Sequence, residues 1–141
     1  TGDGELDEGS NWEGLMTIRH YNLTNCITIV DRNHCMIDGN TEDVMKLEPL
    51  ADKFVAFGFH TIVCEGNNIV SLCKAIDEAH KTKDKPTVIV ADTIKGVGIK
   101  LTSGNYKWHY GAIDEEMAKV AAKDLDEYSA ERIARCGKEF E

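Results

Sequence analysis

The sequence lacks any apolar run approaching the roughly 20 residues that a membrane-spanning helix needs, so we expect no membrane role. It also lacks an excess of basic side chains, since 16 lysines and arginines stand against 25 aspartates and glutamates. The resulting formal charge of −9 argues against nucleic-acid binding, because that affinity comes largely from basic side chains that neutralise phosphates. Repeats and low-complexity linkers are absent from the sequence, and 141 residues suit one ordinary domain.

Paired cysteine motifs and an N-terminal targeting signal are also missing from the sequence. No C-x-x-C pair occurs, and 5 cysteines leave at least one unpaired in any disulfide scheme. The chain opens on polar residues instead of a basic segment followed by an apolar one, which is not typical of a signal peptide. We therefore expect reduced thiols in a cytoplasmic protein. Because Thr1 is not methionine, it indicates a processed end, an artificial boundary or the start of a partial sequence.

Short apolar runs alternate with amphipathic segments along the first two thirds of the chain. The β-branched runs predict strands buried in a parallel sheet, and they are Cys26–Val30, Phe59–Cys64 and Thr87–Ala91. The amphipathic segments predict helices, and they are Trp12–Tyr21, Leu47–Phe57 and Ile69–Lys81. Gly58 is suited to end the second helix. Acidic residues from Asp114 onward suit the N-cap and first turn of a further helix. The alternation predicts an α/β fold with a parallel sheet flanked by helices.

Two polar motifs stand where a ligand site would form in such a sheet. Gly2-Asp3-Gly4 opens the chain, and Asp31-Arg32-Asn33 follows the first predicted strand. Ligands bind beyond the carboxyl ends of parallel strands, so the motifs converge if Gly2-Asp3-Gly4 caps a strand lying before Thr1. Carboxylate and amide oxygens suit Mg²⁺ that also takes phosphate oxygens, and glycines let backbone amides approach the same anion. Either motif alone is more often only a turn.

Together, the motifs resemble the Gly-Asp-Gly to Asn signature of thiamine-diphosphate enzymes, and the surrounding sequence resembles the transketolase family. The resemblance runs from Gly2 to about Met117 in the family's order. The segments that carry it are Gly2–Gly9, Trp12-Glu13, Ile29–Asn33, Ile37–Gly39, Leu47–Leu50, Ala56–His60, Thr93–Gly98 and Trp108-His109. It implies a partial thiamine-diphosphate-binding domain over residues 1–118, lacking its upstream part, and a C-terminal helical tail over residues 119–141.

The resemblance also implies roles for individual residues. The side chains of Asp3 and Asn33 and the backbone carbonyl of Cys35 would ligate Mg²⁺ or Ca²⁺. Lys95 and His109 match positions that contact the diphosphate or line the substrate channel, and they are the candidate catalytic residues. The implied cofactor-binding set is Gly2, Asp3, Gly4, Glu8, Asn33, Ile37, Ile94, Lys95 and His109. Within that set, Glu8 matches a carboxylate at the subunit interface.

Several of these assignments have purely structural alternatives. Lys95-Gly96-Val97-Gly98 could be only a flexible loop after a strand, and it carries no Walker pattern. His109 could pack against Trp108 as an aromatic pair. The thiol of Cys35 could be incidental, since the implied ligand is its carbonyl.

The function implied by the resemblance is transfer of a two-carbon ketol unit from a ketose phosphate to an aldose phosphate with thiamine diphosphate. In that family a second domain binds the aminopyrimidine and supplies the activating glutamate. We expect that domain and the upstream segment on partner chains, in a dimer or hetero-oligomer. The alternatives are another enzyme with the same cofactor, such as a deoxyxylulose-phosphate synthase, or a non-catalytic structural or regulatory subunit.

Overall fold

The structure, a computed structural model, describes residues 1–136 and the side-chain environments of residues 1–135. Its centre is a parallel sheet of three strands, β1 (Ile27–Arg32), β2 (His60–Glu65) and β3 (Thr87–Asp92). The strand order is β1-β3-β2, so that β3 pairs with a neighbour on each side. The predicted α/β architecture is therefore confirmed, with strand ends shifted by one or two residues.

The described residues also form five α-helices. They are α1 (Gly9–His20), α2 (Thr41–Val44), α3 (Leu50–Ala56), α4 (Ile69–Lys81) and α5 (Glu115–Cys136). Short 3₁₀ turns lie at Gly4–Asp7 and Tyr106–His109. None of these helices combines the length and the apolar character needed to cross a membrane.

The alternation of side chains along the strands divides the core into two layers. The layer under α1 and α3 includes Leu15, Val30, Phe54, Val88 and Val90. The layer under α4 includes Ala75, Ala79 and Ile89. Because β3 contributes to both layers, its side chains are buried almost continuously, as the apolar run Thr87–Ala91 predicts.

The predicted helix over Leu47–Phe57 is wrong at its start, because α3 begins only at Leu50. Pro49 explains the difference, since the residue before a proline is disfavoured in the helical region. The carboxylate of Glu48 instead turns back and accepts a 2.8 Å hydrogen bond from the backbone N–H of Leu50. The helix thus starts later, and Glu48 is left beside the end of β1.

Gly58 follows α3 in a backbone conformation with φ of +90°, which residues with a Cβ rarely adopt. A Cβ built at this position would lie 2.7 Å from Nε of Arg19. We expect Gly58→Ala to lower the free energy of unfolding by about 1–2 kcal/mol through backbone strain. Chemical denaturation measures the change, and Gly14→Ala is the control because its added Cβ meets nothing within 4 Å. Equal stability of the two variants would contradict the assignment of strain to Gly58.

The first residues of the chain continue the sheet beyond β1. The backbone N–H of Asp31 donates to the carbonyl of Thr1 at 2.9 Å, and the N–H of Asp3 donates to the carbonyl of Asp31 at 3.0 Å. Gly2 accordingly forms a parallel bridge with Asp31. The Gly2-Asp3-Gly4 motif is therefore brought to the carboxyl end of β1, where the sequence analysis expects it.

The helix α5 lies against the loop that follows β3. Asp124 on α5 accepts a 2.9 Å hydrogen bond from the backbone N–H of Lys100 in that loop. At the start of α5, Asp114 accepts a 2.8 Å hydrogen bond from the backbone N–H of Met117. The helical tail is thus present over the described residues. The division of the chain between residues 118 and 119 falls inside α5 and stays a prediction.

Candidate functional site

A cavity of about 510 Å³ opens at the carboxyl end of the sheet. It is bordered by the first 3₁₀ turn, by the loop that follows β1 and by the loop that follows β3. The predicted site residues that line it are Gly2, Asp3, Gly4, Glu8, Asn33, Cys35, Ile37, Lys95 and His109. The fold therefore gathers into one cavity residues as far apart in sequence as Gly2 and His109.

Ile94 is the predicted cofactor-binding residue that the fold places outside this cavity. Its side chain is 52% exposed and lines a smaller neighbouring cavity of about 190 Å³. Asn33 and Cys35 border both cavities. Contact between Ile94 and a cofactor stays a prediction.

The carboxylate of Asp3 is fully buried and is held by several donors. Its Oδ2 accepts hydrogen bonds from Nη1 of Arg32 at 2.8 Å and from the backbone N–H of His34 at 2.7 Å. Its Oδ1 accepts one hydrogen bond, of 2.8 Å, from the backbone N–H of Gly4 among the described residues. Since a carboxylate oxygen has two lone pairs, Oδ1 retains one with which to meet a cation.

Arg32 is a functional candidate that the sequence analysis did not assign. Its guanidinium is buried and forms ion pairs with Asp3 at 2.8 Å, Glu42 at 2.8 Å and Glu48 at 3.0 Å. Burial works against its charge, but the hydrogen bonds that it donates to Asp3 and Glu48 outweigh burial and raise the pKa of Arg32. The hydrogen bond from the N–H of Leu50, together with Arg32, lowers the pKa of Glu48. The signal in the sequence that could have identified Arg32 is its charge at the end of a mainly apolar strand.

The amide of Asn33 is oriented by contacts on both of its ends. Nδ2 donates to Oδ2 of Asp31 at 3.2 Å, and Oδ1 accepts from the backbone N–H of Cys35 at 3.0 Å. Asp31 is fixed in turn by the hydroxyl of Thr93 on the neighbouring chain segment. These contacts assign which end of the amide is oxygen and which is nitrogen.

Lys95 and His109 form a polar pair on another wall of the cavity. Nζ of Lys95 lies 3.3 Å from Nδ1 of His109. A lysine ammonium can only donate, so Nδ1 of His109 is the acceptor in this contact. The His109 ring also meets Tyr110 edge-on, with centroids 6.5 Å apart. The pair presents nitrogen donors toward the cavity, as anion binding requires.

Acidic side chains outnumber basic side chains in the lining of the cavity. Glu5 and Asp38 line it together with Asp3 and Glu8, although the sequence analysis assigned no role to Glu5 or Asp38. The backbone N–H of Gly2 and the hydroxyl of Thr1 lower the pKa of Glu5, which favours its charged form. A diphosphate entering this cavity would therefore meet more negative charge than positive charge unless a cation accompanied it.

Four of the cysteines have described side chains. The free thiols are Cys26, Cys35, Cys64 and Cys73, whereas the side chain of Cys136 lies outside the described residues. Burial raises the pKa of Cys35, and Asp3 adds to the effect while Lys95 opposes it. A protonated thiol is a poor nucleophile and a poor metal ligand, so the implied role of Cys35 depends on its carbonyl.

A metal site here would use few protein ligands. No group of three or more histidine, cysteine, aspartate and glutamate side chains within residues 1–135 is arranged to hold a metal ion. Asp3, Asn33 and the carbonyl of Cys35 supply oxygen atoms of the kind that Mg²⁺ and Ca²⁺ prefer. This donor set fits a hard cation that completes its coordination with phosphate oxygens and water.

Comparison with known proteins decides the family. The family model described as "Transketolase, thiamine diphosphate binding domain" matches residues 1–130. The chain belongs to the transketolase family. Within that family it corresponds to the N-terminal, thiamine-diphosphate-binding domain, and the resemblance noted in the sequence is confirmed.

Curated members of the transketolase family show how the chain relates to longer proteins. It is 39% identical over 125 residues to an apulose-4-phosphate transketolase subunit of Actinobacillus succinogenes, covering 89% of this chain and 45% of that protein. It is 38% identical over 129 residues to the 6-deoxy-6-sulfo-D-fructose transketolase subunit of Clostridium sp., covering 92% and 47% respectively. The chain therefore spans about half the length of these two relatives.

Solved transketolases share the fold. The Campylobacter jejuni enzyme superimposes with a TM-score of 0.80 at 30% identity, over 89% of this chain and 20% of that one. Transketolase from Leishmania mexicana superimposes with a TM-score of 0.66 at 31% identity, over 94% of this chain and 23% of that one. The similarity covers nearly all of this chain and a fraction of each complete transketolase.

Proposed function

We propose that this chain binds the diphosphate group of thiamine diphosphate through a divalent cation and so forms the cofactor-binding part of a transketolase. The observation that carries the proposal is the meeting of Asp3 and Asn33 at the carboxyl end of the sheet, in a cavity that also holds Lys95. Calorimetric titration with thiamine diphosphate, with and without Mg²⁺, tests it on the chain assembled with its partners. Binding that does not respond to Mg²⁺ would overturn the proposed bridge.

The cation would be held by Oδ1 of Asp3, Oδ1 of Asn33 and the carbonyl of Cys35. Both side chains are already fixed by hydrogen bonds to neighbouring atoms, which lowers the entropic cost of binding. The acidic lining of the cavity favours a cation and disfavours an unaccompanied diphosphate. Mg²⁺ fits this oxygen set, and Ca²⁺ is the alternative.

The residues of this chain would orient and neutralise the cofactor instead of carrying out the bond changes. When bound, thiamine diphosphate supplies the chemistry of two-carbon ketol transfer. Lys95 and His109 would place positive charge and N–H donors against the diphosphate or a phosphorylated substrate. Gly2 and Gly4 would let the backbone approach the diphosphate closely. Glu8 would face a partner chain at the edge of the cavity.

We expect Lys95→Ala to weaken binding of thiamine diphosphate or of the anionic substrate about tenfold, the effect of losing one charge-assisted hydrogen bond. His109→Ala should act in the same direction with a smaller effect, because His109 is exposed. Titrations and steady-state kinetics measure the losses, while thermal melts should show no change. Lys107→Ala is the matched control, since Lys107 is an exposed lysine of the same region. A large fall in melting temperature with normal binding would favour the packing alternative.

Substrate and partners follow from the relatives by analogy. The sugars in the names of these relatives, apulose-4-phosphate and 6-deoxy-6-sulfo-D-fructose, each carry an anionic group. We infer that this chain takes part in ketol transfer between anionic sugars, phosphorylated ones above all. The same relatives are named as subunits, which supports a partner chain that binds the pyrimidine end of the cofactor. A cytoplasmic location stays a prediction from the sequence.

A further inference from the structure

The buried guanidinium of Arg32, at the end of β1, donates hydrogen bonds to the side chains of several other segments. Nη1 donates to Asp3 at 2.8 Å and to the hydroxyl of Thr41 at 2.5 Å. Nη2 donates to Glu42 at 2.8 Å and to Glu48 at 3.0 Å, and Nε donates to Glu48 at 3.3 Å. All five N–H groups of the arginine are thus used. Such complete use fixes the plane and the position of the guanidinium.

The contact with Arg32 holds Oδ2 of the Asp3 carboxylate, whereas Oδ1 accepts a single hydrogen bond, from Gly4, among the described residues. Oδ2 accepts hydrogen bonds from both Arg32 and the backbone N–H of His34. The planar fork of arginine can hold Asp3 and Glu48 at once, whereas the compact ammonium of lysine has three donors. The orientation of Asp3 therefore depends on a residue that does not itself line the cavity.

We propose that Arg32 is the positioning residue of the metal-binding carboxylate, holding Asp3 so that Oδ1 alone meets the divalent cation. The inference rests on the proposed function, since it assumes that Asp3 ligates a cation. The surrounding contacts explain how Arg32 keeps its own position. Thr41 and Glu42 on α2 and Glu48 before α3 also accept hydrogen bonds from the guanidinium. The start of α2 and the segment before α3 thereby become part of the support for the site.

Two effects of removing Arg32 act in opposite directions on cation affinity. Loss of a positive charge near the site would strengthen cation binding by Coulomb attraction alone. Loss of the fork would let the Asp3 carboxylate turn and would leave Asp3, Glu42 and Glu48 repelling one another. A ligand that must be within a fraction of an ångström of its place depends strongly on its supporting contacts. We therefore expect weaker metal binding in the variant.

The test measures binding of Mn²⁺, as a probe for Mg²⁺, from the loss of the free-ion electron paramagnetic resonance signal at fixed thiamine diphosphate. The protein is the full chain with its associated chains. Arg32→Met should weaken Mn²⁺ binding about 10- to 100-fold, the range for supporting residues of metal ligands. Arg32→Lys should recover part of the loss. Phe54→Leu, which destabilises the core away from the cavity, is the control for a merely structural effect. Mn²⁺ affinity equal to that of wild type, or tighter, in Arg32→Met would overturn the inference.

Thr41→Val provides a second variant in case Arg32→Met does not fold. It removes one contact of the guanidinium and keeps its charge, so Mn²⁺ binding should weaken about threefold, as expected for one hydrogen bond. One outcome is that wild type shows metal-dependent binding but Mn²⁺ affinity is unchanged in both Thr41→Val and Arg32→Lys. That outcome would refute the positioning role of Arg32 and leave the proposed function standing. Absence of metal-dependent thiamine diphosphate binding in wild type would instead refute the proposed function and this inference with it.

Discussion

Asn33→Ala should remove the metal-dependent part of thiamine diphosphate binding while leaving the fold nearly unchanged. The proposed cation has few protein ligands, and the loss of one leaves the diphosphate facing an acidic cavity. We expect the affinity for thiamine diphosphate measured with Mg²⁺ to fall about 100-fold or more. Residues that only support a metal ligand typically contribute about 10- to 100-fold, and a direct ligand should contribute at least as much. Titration calorimetry with and without Mg²⁺ measures the difference. The half-buried Asn33 belongs to neither hydrophobic cluster, so the melting temperature should stay close to wild type.

Asn40→Ala is the matched control for this experiment, because it removes an exposed amide from the same loop. Its affinity for thiamine diphosphate should equal that of wild type. Asp3→Ala should also abolish the metal response, but it is a poorer test, since Asp3 is fully buried and paired with Arg32. Removing one partner of a buried ion pair typically costs about 3–5 kcal/mol of stability. Unaltered metal dependence in Asn33→Ala would rule out Asn33 as a ligand.

The second large effect concerns partners: this polypeptide alone should show no transketolase turnover above background, even with thiamine diphosphate and Mg²⁺. It spans 45% and 47% of two curated relatives, which are themselves named as subunits. The apolar side chain of Ile37, which lines the cavity, is 57% exposed. Exposed apolar surface next to a cofactor site suits a partner chain. Activity should appear when companion chains that carry the upstream segment and the pyrimidine-binding domain are added.

The experiment is an assay of ketol transfer before and after addition of candidate partner chains. The partner alone, and the partner mixed with Asn33→Ala, are the controls that separate assembly from catalysis at the proposed site. Turnover by the pure chain would contradict the proposed dependence on partners. Inactivity with every partner that associates stably would favour the non-catalytic alternative.

Local sequence patterns were sufficient for most of the secondary structure. The apolar run Thr87–Ala91 coincides with β3 within one residue, because a strand buried on both faces needs apolar residues at nearly every position. The periodic segment Ile69–Lys81 coincides with α4, since one helical stripe faces the sheet. The start of α3 was missed because the restriction that Pro49 imposes on Glu48 outweighed the apolar pattern.

The convergence of the predicted site residues could be anticipated where a motif follows a strand, whereas contacts that depend on packing could not. Gly2-Asp3-Gly4 and Asn33 meet because parallel strands end at the same edge of a sheet. The position of Ile94 outside the cavity depends on how the loop after β3 turns, which no local pattern specifies. The pairing of Arg32 with Asp3, Glu42 and Glu48 joins four segments that sequence spacing does not relate.

The sequence by itself determined the α/β class, the family and most of the residues that line the cavity, because hydrophobic periodicity and short motifs are local properties of the chain. Only the tertiary structure decided which oxygen of Asp3 is available, how the amide of Asn33 is oriented and why Arg32 is buried. The physical reason is that a buried charge must be satisfied by partners from other segments, and those partners are selected by the packing of the whole fold.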